Sequence, residues 1–276
     1  MRIHQRTPLA WQQPLPAELM TVVDVSYRVC GEGPPLYLVH GIGARQTTWD
    51  ALISSLKDRF TCVSFDLRGH GDSPVPSAPS TLDDLVDDLE ALRNKLGHDR
   101  IHVAGHSLGG MIGPAYAWRY PDRVISLGLF STAAGRTEDD RAKLKAVGTM
   151  MEQQGVADSL PTFVSRWFTD AFIEAHPERI EARLQQVRDT PAEVFLNVFW
   201  IYATTEMGPW LHEIECPCLL LTGALDGGCN PRLNRFMQAQ LPNSELVILD
   251  GIKHSLLIEA SDLALPPVRD FLLRQA

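Results

Sequence analysis

A chain of 276 residues, 45% hydrophobic and 21% charged, can bury a full core in one large domain or two smaller ones. Its 25 Lys+Arg against 34 Asp+Glu leave a net charge of -9, which argues against nucleic acid or an anionic membrane as the main partner, since phosphates are repelled. A small-molecule substrate remains, and even an anionic one is compatible with that balance if a single local arginine holds it.

The opening residues, MRIHQRTPLAWQQPLP, break any apolar stretch with Arg, Gln and Pro, so neither a signal peptide nor a membrane anchor is expected there. Short β-rich apolar runs then alternate with longer amphipathic stretches: TVVDVSYRV, PLYLVHG, FTCVSFD, IHVAGHS, VISLGLF, CLLLTG and SELVILD. Near-continuous apolar strands separated by helices predict an α/β fold, with a mostly parallel sheet covered by helices on both faces. The clearest helix is TLDDLVDDLEALRNKLG, where Leu82, Leu85, Leu89, Leu92 and Leu96 form one stripe. Thr81 and Asp84 suggest a capping box there, and Gly97 ends the helix. Asp83, Asp84, Asp87, Asp88 and Glu90 fall opposite the leucines, where a solvated face is expected rather than a cation site.

Between VISLGLF and CLLLTG the alternation stops. Residues 131–212 predict several helices rich in Trp, Phe and Met, inserted at the carboxyl edge of the sheet, where such sheets bind ligands. The expected organisation is a core in two parts, 1–130 and 213–276, with a helical lid over 131–212. The five cysteines, Cys30, Cys62, Cys216, Cys218 and Cys229, have neither disulfide-framework nor CxxC spacing, which suggests buried thiols in a reducing cytoplasm. Cys216-Pro-Cys218 is expected to be a strand entry. No histidine pair has ligand spacing, so no metal is expected.

The chemistry gathers around VAGHSLGG, which follows a predicted strand and opens a predicted helix. A serine nucleophile must be exposed, given a base and provided with donors for the developing oxyanion. On a sharp strand-to-helix turn, Gly105 and Gly109 remove side chains that would collide, so Ser107 is presented above the sheet. The Leu108 amide is one expected oxyanion donor, and Ile42, between the glycines of HGIG, supplies the other. An acid and a histidine should follow in that order. Asp226 lies in the loop after CLLLTG and His254 in the loop after SELVILD, both at strand carboxyl ends. Asp250 is a rival acid but sits only four residues before the histidine. His106 is the variable residue inside the elbow, and His40 and His70 lie on site-facing loops with structural roles expected.

With HGIG, DLRGHGDS, GHSLGG, GALDGGCNP and GIKHSLLIE in this order, the chain resembles the α/β-hydrolase superfamily over nearly its full length. HSLGGMIGPAYAWRYPDRV and FVSRWFTDAFIEAHPERIE look most like the branch of 3-oxoadipate enol-lactonases, related small esterases and carbon-carbon bond hydrolases. The resemblance implies an α/β-hydrolase fold, a Ser107-His254-Asp226 triad, an oxyanion hole at Ile42 and Leu108, and no cofactor. It also implies a cytoplasmic serine hydrolase of aromatic-compound degradation, monomer or homodimer, that cleaves a small ester or lactone, with an enol-lactone as the leading substrate. Gly227-Gly228 and the proline-rich amino terminus do not match the enol-lactonases. Carbon-carbon bond cleavage of a diketone, cofactor-free perhydrolysis and a slow ligand receptor use the same machinery. Substrate choice falls to the lid, where Trp167, Phe168, Trp200, Tyr202, Met207 and Trp210 supply aromatic and apolar surface, most of it lid core. Trp167 and Trp200 are the candidate pocket residues. Arg166 is the candidate carboxylate holder, with Arg68 and Arg136 as weaker ones.

Overall fold

The computed structural model describes residues 22–276; the amino-terminal stretch read for a leader or anchor lies outside them. Seven strands form one sheet: β1 (Tyr27–Cys30), β2 (Pro35–Val39), β3 (Thr61–Phe65), β4 (Ile101–His106), β5 (Val124–Phe130), β6 (Cys218–Gly223) and β7 (Ser244–Leu249), in the order β1-β3-β2-β4-β5-β6-β7. β1 is antiparallel to β3, and all other pairings are parallel. The first strand is shorter than its apolar run. Upstream of Tyr27 the amides of Val23 and Ser26 donate to the Asp88 carboxylate and the Ser73 hydroxyl instead of to a sheet ladder. Cys218 opens β6, as a strand entry should.

Side chains alternate across a strand, so a sheet covered on both sides divides each strand between two cores. In β2, Tyr37 and Val39 join the cluster formed with α2 (Leu82–Lys95), α3 (Gly109–Arg119) and α9 (Pro231–Gln240). Leu36 and Leu38 join the opposite cluster, with α1 (Asp50–Leu56), the short α10 (Leu256–Glu259) and α11 (Ser261–Gln275). α2 begins with the expected capping box, Thr81 with Asp84.

The acidic side of α2 departs from expectation. Asp88 is only 1% exposed, and both of its oxygens receive Arg68, Nε at 2.7 Å and Nη2 at 2.7 Å. Asp87 pairs with Arg119, and Glu90 accepts from Arg93 and the Tyr116 hydroxyl. Helical periodicity places these acids away from the leucines. It does not show that a loop 20 residues earlier and helix α3 lie against that side. Arg68 is thereby held in the core and drops out as a carboxylate holder.

Between β5 and β6 the described residues form α4 (Glu138–Gln154), α5 (Val156–Trp167), α6 (Asp170–Ala175), α7 (Pro177–Asp189) and α8 (Ala192–Thr204). This insertion has a core of its own, including Met151, Phe163, Val187, Phe195 and Phe199. No helix among the described residues is long and apolar enough to cross a membrane.

Candidate active site

β4 ends at His106, α3 starts at Gly109, and Ser107 between them has φ +56°. A non-glycine residue held in that region costs about 1–3 kcal/mol and persists only where its surroundings impose it. Here they do: the Ser107 amide donates to the Phe130 carbonyl at 2.8 Å, and a Cβ on Gly105 or Gly109 would lie 2.0 Å from a backbone oxygen, that of Gly109 or of Val39. Only glycines let the turn close.

Ser107 opens into a cavity of about 520 Å³ whose walls include Gly41, Ile42, His106, Asp226 and His254 from the core and Trp167, Arg183 and Phe199 from the insertion. The imidazole and the acid meet after β7 and β6. His254 Nδ1 lies 2.8 Å from Asp226 Oδ2, while Asp226 Oδ1 accepts from the amides of Gly228 at 2.9 Å and Cys229 at 2.8 Å. Burial opposes charge on both groups, yet each outweighs it for the other. Asp226 is held below the usual carboxylate range by His254 and the two amides, and His254 is raised above its ordinary value by the Asp226 carboxylate. Gly227-Gly228, the pair that did not match the enol-lactonases, supplies one of those amides. The loop is tied down from behind, since the Cys229 carbonyl accepts from Thr222 and Asn234. Asp250 has no such contact with the imidazole.

His106 adds a tether that its place as the variable residue of the elbow did not reveal. Its Nε2 lies 3.0 Å from the His254 carbonyl, and burial, reinforced by the neighbouring His254, lowers His106 to about 3. A carbonyl only accepts, so the neutral ring carries its proton on Nε2 and donates.

On the other side of Ser107, the glycine loop after β2 rests on two neutral imidazoles. His40 Nδ1 donates to the Gly41 carbonyl and its Nε2 accepts from Leu67 N–H. His70 Nδ1 donates to the Arg68 carbonyl and its Nε2 accepts from Gly43 N–H. Burial drives His40 well below the ordinary value and His70 to about 4, which keeps both acceptors available. Among the described residues, no hydrogen bond within the chain takes the amide of Ile42 or of Leu108.

The insertion brings one residue that no motif marked. Arg183 of α7 is buried, donates to the carbonyls of Ile42 and Gly43, and lies 4.8 Å over the Trp167 ring. Among the described residues, no carboxylate pairs with it, and burial alone lowers its guanidinium to about 10, still charged at neutral pH. Helical spacing in PERIEARLQQVRD gives no signal for this role, because α7 reaches the β2 loop across 140 residues of chain. Trp167 lines the cavity, stacked on Phe163, and exposed Arg166 stands at its rim. Trp200 does not reach the cavity. It fills the space over Gly148 between α4 and α8, and its Nε1 donates to Glu152.

The ligand atoms of Asp226, Cys229 and His254 lie within 4.8 Å of one another. Each already has a protein partner: Nδ1 and Oδ2 share a hydrogen bond, and Cys229 Sγ meets the Tyr202 hydroxyl at 2.9 Å. This donor set suits a hydrogen-bonded acid–imidazole pair better than a metal cage.

The chain matches the family described as the alpha/beta hydrolase fold over residues 34–261. It is 28% identical to 3-oxoadipate enol-lactonase 2 of Acinetobacter baylyi over 85% of this chain and 88% of that one. Among solved structures, the enol-lactonase from Burkholderia xenovorans LB400 superposes with a TM-score of 0.84 at 25% identity, covering 91% of this chain and 97% of that one. A thermophilic esterase from Thermogutta terrifontis, with malate bound, gives 0.83 at 27% identity, covering 92% and 94%.

Proposed function

Since the chain belongs to the alpha/beta hydrolase fold family, in its enol-lactonase-like branch, and is a hydrolase, we propose that it cleaves a small carboxylate-bearing ester or lactone by a Ser107 acyl-enzyme. The observation that carries this reading is the strained Ser107 turn opening into the same cavity as an imidazole already held by a buried acid.

Asp226 accepts Nδ1–H of His254, which leaves Nε2 as the basic nitrogen. Nε2 takes the proton of Ser107 Oγ as that oxygen bonds to the substrate carbonyl carbon. The negative charge moves to the carbonyl oxygen, where the Ile42 and Leu108 amides receive it. Collapse expels the alkoxide or enolate oxygen, which takes the proton back from His254. In the second half, water gives its proton to His254 and attacks the acyl carbon, and Ser107 leaves with that proton. Two amides without internal partners suit an oxyanion, because they lose no existing hydrogen bond when it forms.

Arg183 supports an acidic substrate. A buried guanidinium with carbonyl partners and no carboxylate favours an incoming anion, and Arg183 replaces Arg166 as the carboxylate holder because Arg166 is exposed. Helices α4–α8 act as the lid that selects the substrate, and Trp167, stacked between Phe163 and Arg183, provides a flat apolar wall.

A fluorophosphonate should label wild-type protein at Ser107 and leave folded Ser107→Ala unlabelled. Turnover of a panel of esters and lactones should fall by about 10⁴-fold or more in that variant. Wild-type protein that is folded and unlabelled overturns the reading.

A further inference from the structure

Cys30 and Cys62 are far apart along the chain, and no sequence spacing marks them as a pair, yet the sheet sets them directly opposite each other. β1 and β3 are antiparallel, in a register that pairs Tyr27 with Phe65, Arg28 with Ser64, Val29 with Val63 and Cys30 with Cys62. Directly opposed residues of an antiparallel pair point to the same face. Their α carbons stand about 4.5 or 5.5 Å apart, according to the hydrogen-bonding position. Both separations fall within the range of about 4.4–6.8 Å that a disulfide spans.

The packing agrees with that register. Val63 and Phe65 join the core on the side of α2 and α3, while Cys62 joins the opposite core with α1 and α11. Arg28, two residues from Cys30 and so on its face, donates to Asp50 of α1. The chain just beyond Cys30 is held close to the approach of β3. The Glu32 amide donates to the Lys57 carbonyl at 3.2 Å, and a Cβ on Gly31 would fall 2.5 Å from the Phe60 carbonyl oxygen.

Both thiols are free, and they differ in access: Cys30 is exposed and Cys62 is buried. The Cys62 thiol donates weakly to the Phe60 carbonyl at 3.7 Å, and burial, with the Cys30 thiol adding to it, pushes it up to about 12. Cys218, by contrast, faces Leu127 and Ser244 in the sheet, and Cys229 meets the Tyr202 hydroxyl. β1 is also the strand with most to gain from a link. It is an edge strand of four residues, three of them exposed, and in the sheet it is bonded to β3 alone. A short exposed edge opens at low cost.

We propose that Cys30 and Cys62 are a latent cross-strand disulfide, closed by an oxidant of the peroxide class, that fastens edge strand β1 to β3. The Cys30 sulfur attacks one peroxide oxygen, the O–O bond breaks, and Cys30 becomes a sulfenic acid while the other oxygen leaves as water. The Cys62 sulfur then attacks the Cys30 sulfur, and its proton departs with the displaced hydroxyl as a second water. The two thiols together lose two electrons, which the peroxide gains, and a dithiol reverses the bond. The proposal stands apart from the hydrolase reading.

The test treats the full chain with hydrogen peroxide and then with dithiothreitol. Titration after denaturation should fall from the five thiols of the reduced chain to three, and dithiothreitol should restore all five. Peptide mapping without reductant should join the segments that carry Cys30 and Cys62. Cys30→Ser, at an exposed position, should lose none of its four thiols under the same treatment. The oxidised wild type should melt about 5 °C or more above the reduced form, a rise that Cys30→Ser should lack. Cys30 halted at a sulfenic or higher acid, or chains joined to one another through Cys30, overturns the proposal. A bridge that maps correctly but leaves the melting temperature unchanged or lowered overturns it as well, since β1 is then not fastened.

Discussion

The loop after β3 and the helical insertion each bury an arginine, and they satisfy it differently. Arg68 is locked to Asp88 by two short bonds, with the Asp84 carboxylate 3.6 Å away. Arg183 has only the carbonyls of Ile42 and Gly43 and an aromatic face. A buried charge with an internal counterion is part of the scaffold, while one without a counterion is prepared for a ligand.

The largest expected effect lies on the scaffold side. In Asp226→Asn, the amides of Gly228 and Cys229 still demand an acceptor, so the carboxamide oxygen turns to them and its NH₂ faces His254 Nδ1. The imidazole must then carry its proton on Nε2, and turnover should fall by about 10⁴-fold with the fold intact, checked by steady-state kinetics and circular dichroism. A loss of tenfold or less would show that Asp226 does not set the tautomer.

The arginines are compared directly by urea denaturation. Arg68→Ala strands a buried Asp88 and should cost about 3–5 kcal/mol. Arg183→Ala strands no carboxylate and should cost about 1–2 kcal/mol. Equal losses would erase the distinction drawn between them.

Acid should act on the core rather than on the insertion. The folded protein keeps His70 and His102 neutral down to about 4 and His106 down to about 3, where an unfolded histidine binds a proton near 6.5. Their folded values are lowered, so the stability they contribute is complete above 6.5 and is lost as the pH falls toward 4, at roughly 1.4 kcal/mol per pH unit for each histidine. His176, in the insertion, keeps 45% of its side-chain surface exposed. Urea midpoints taken stepwise from neutral to acidic pH should decline through this window, and a flat profile would contradict the neutral supports under the glycine loop.

The smallest effect is expected at Trp200. Trp200→Phe should change stability by about 1 kcal/mol or less and leave KM unaltered, since the ring packs on Gly148 away from the cavity. A raised KM would place Trp200 with Trp167.

Much of the molecule could be read along the chain because its signals are local. Apolar runs with turn residues between them gave the strands, and CLLLTG and VISLGLF coincide with β6 and β5. Thr81 and Asp84 marked the start of α2 because a cap and its partner lie within one turn. Ser107, Asp226 and His254 stood out because each follows a strand at its carboxyl end, and a parallel sheet gathers those ends on one edge. The roles of Asp88 and Arg183 depend on which distant segment lies against them. Burial turns a charged side chain into a scaffold clamp or a ligand contact according to whether a carboxylate arrives with it, and that pairing is made across 20 residues for Arg68 and left unmade for Arg183. Periodicity carries no record of such meetings, so the strands, the cap and the strand-end residues were written locally, and which buried charges have a counterion was settled by packing.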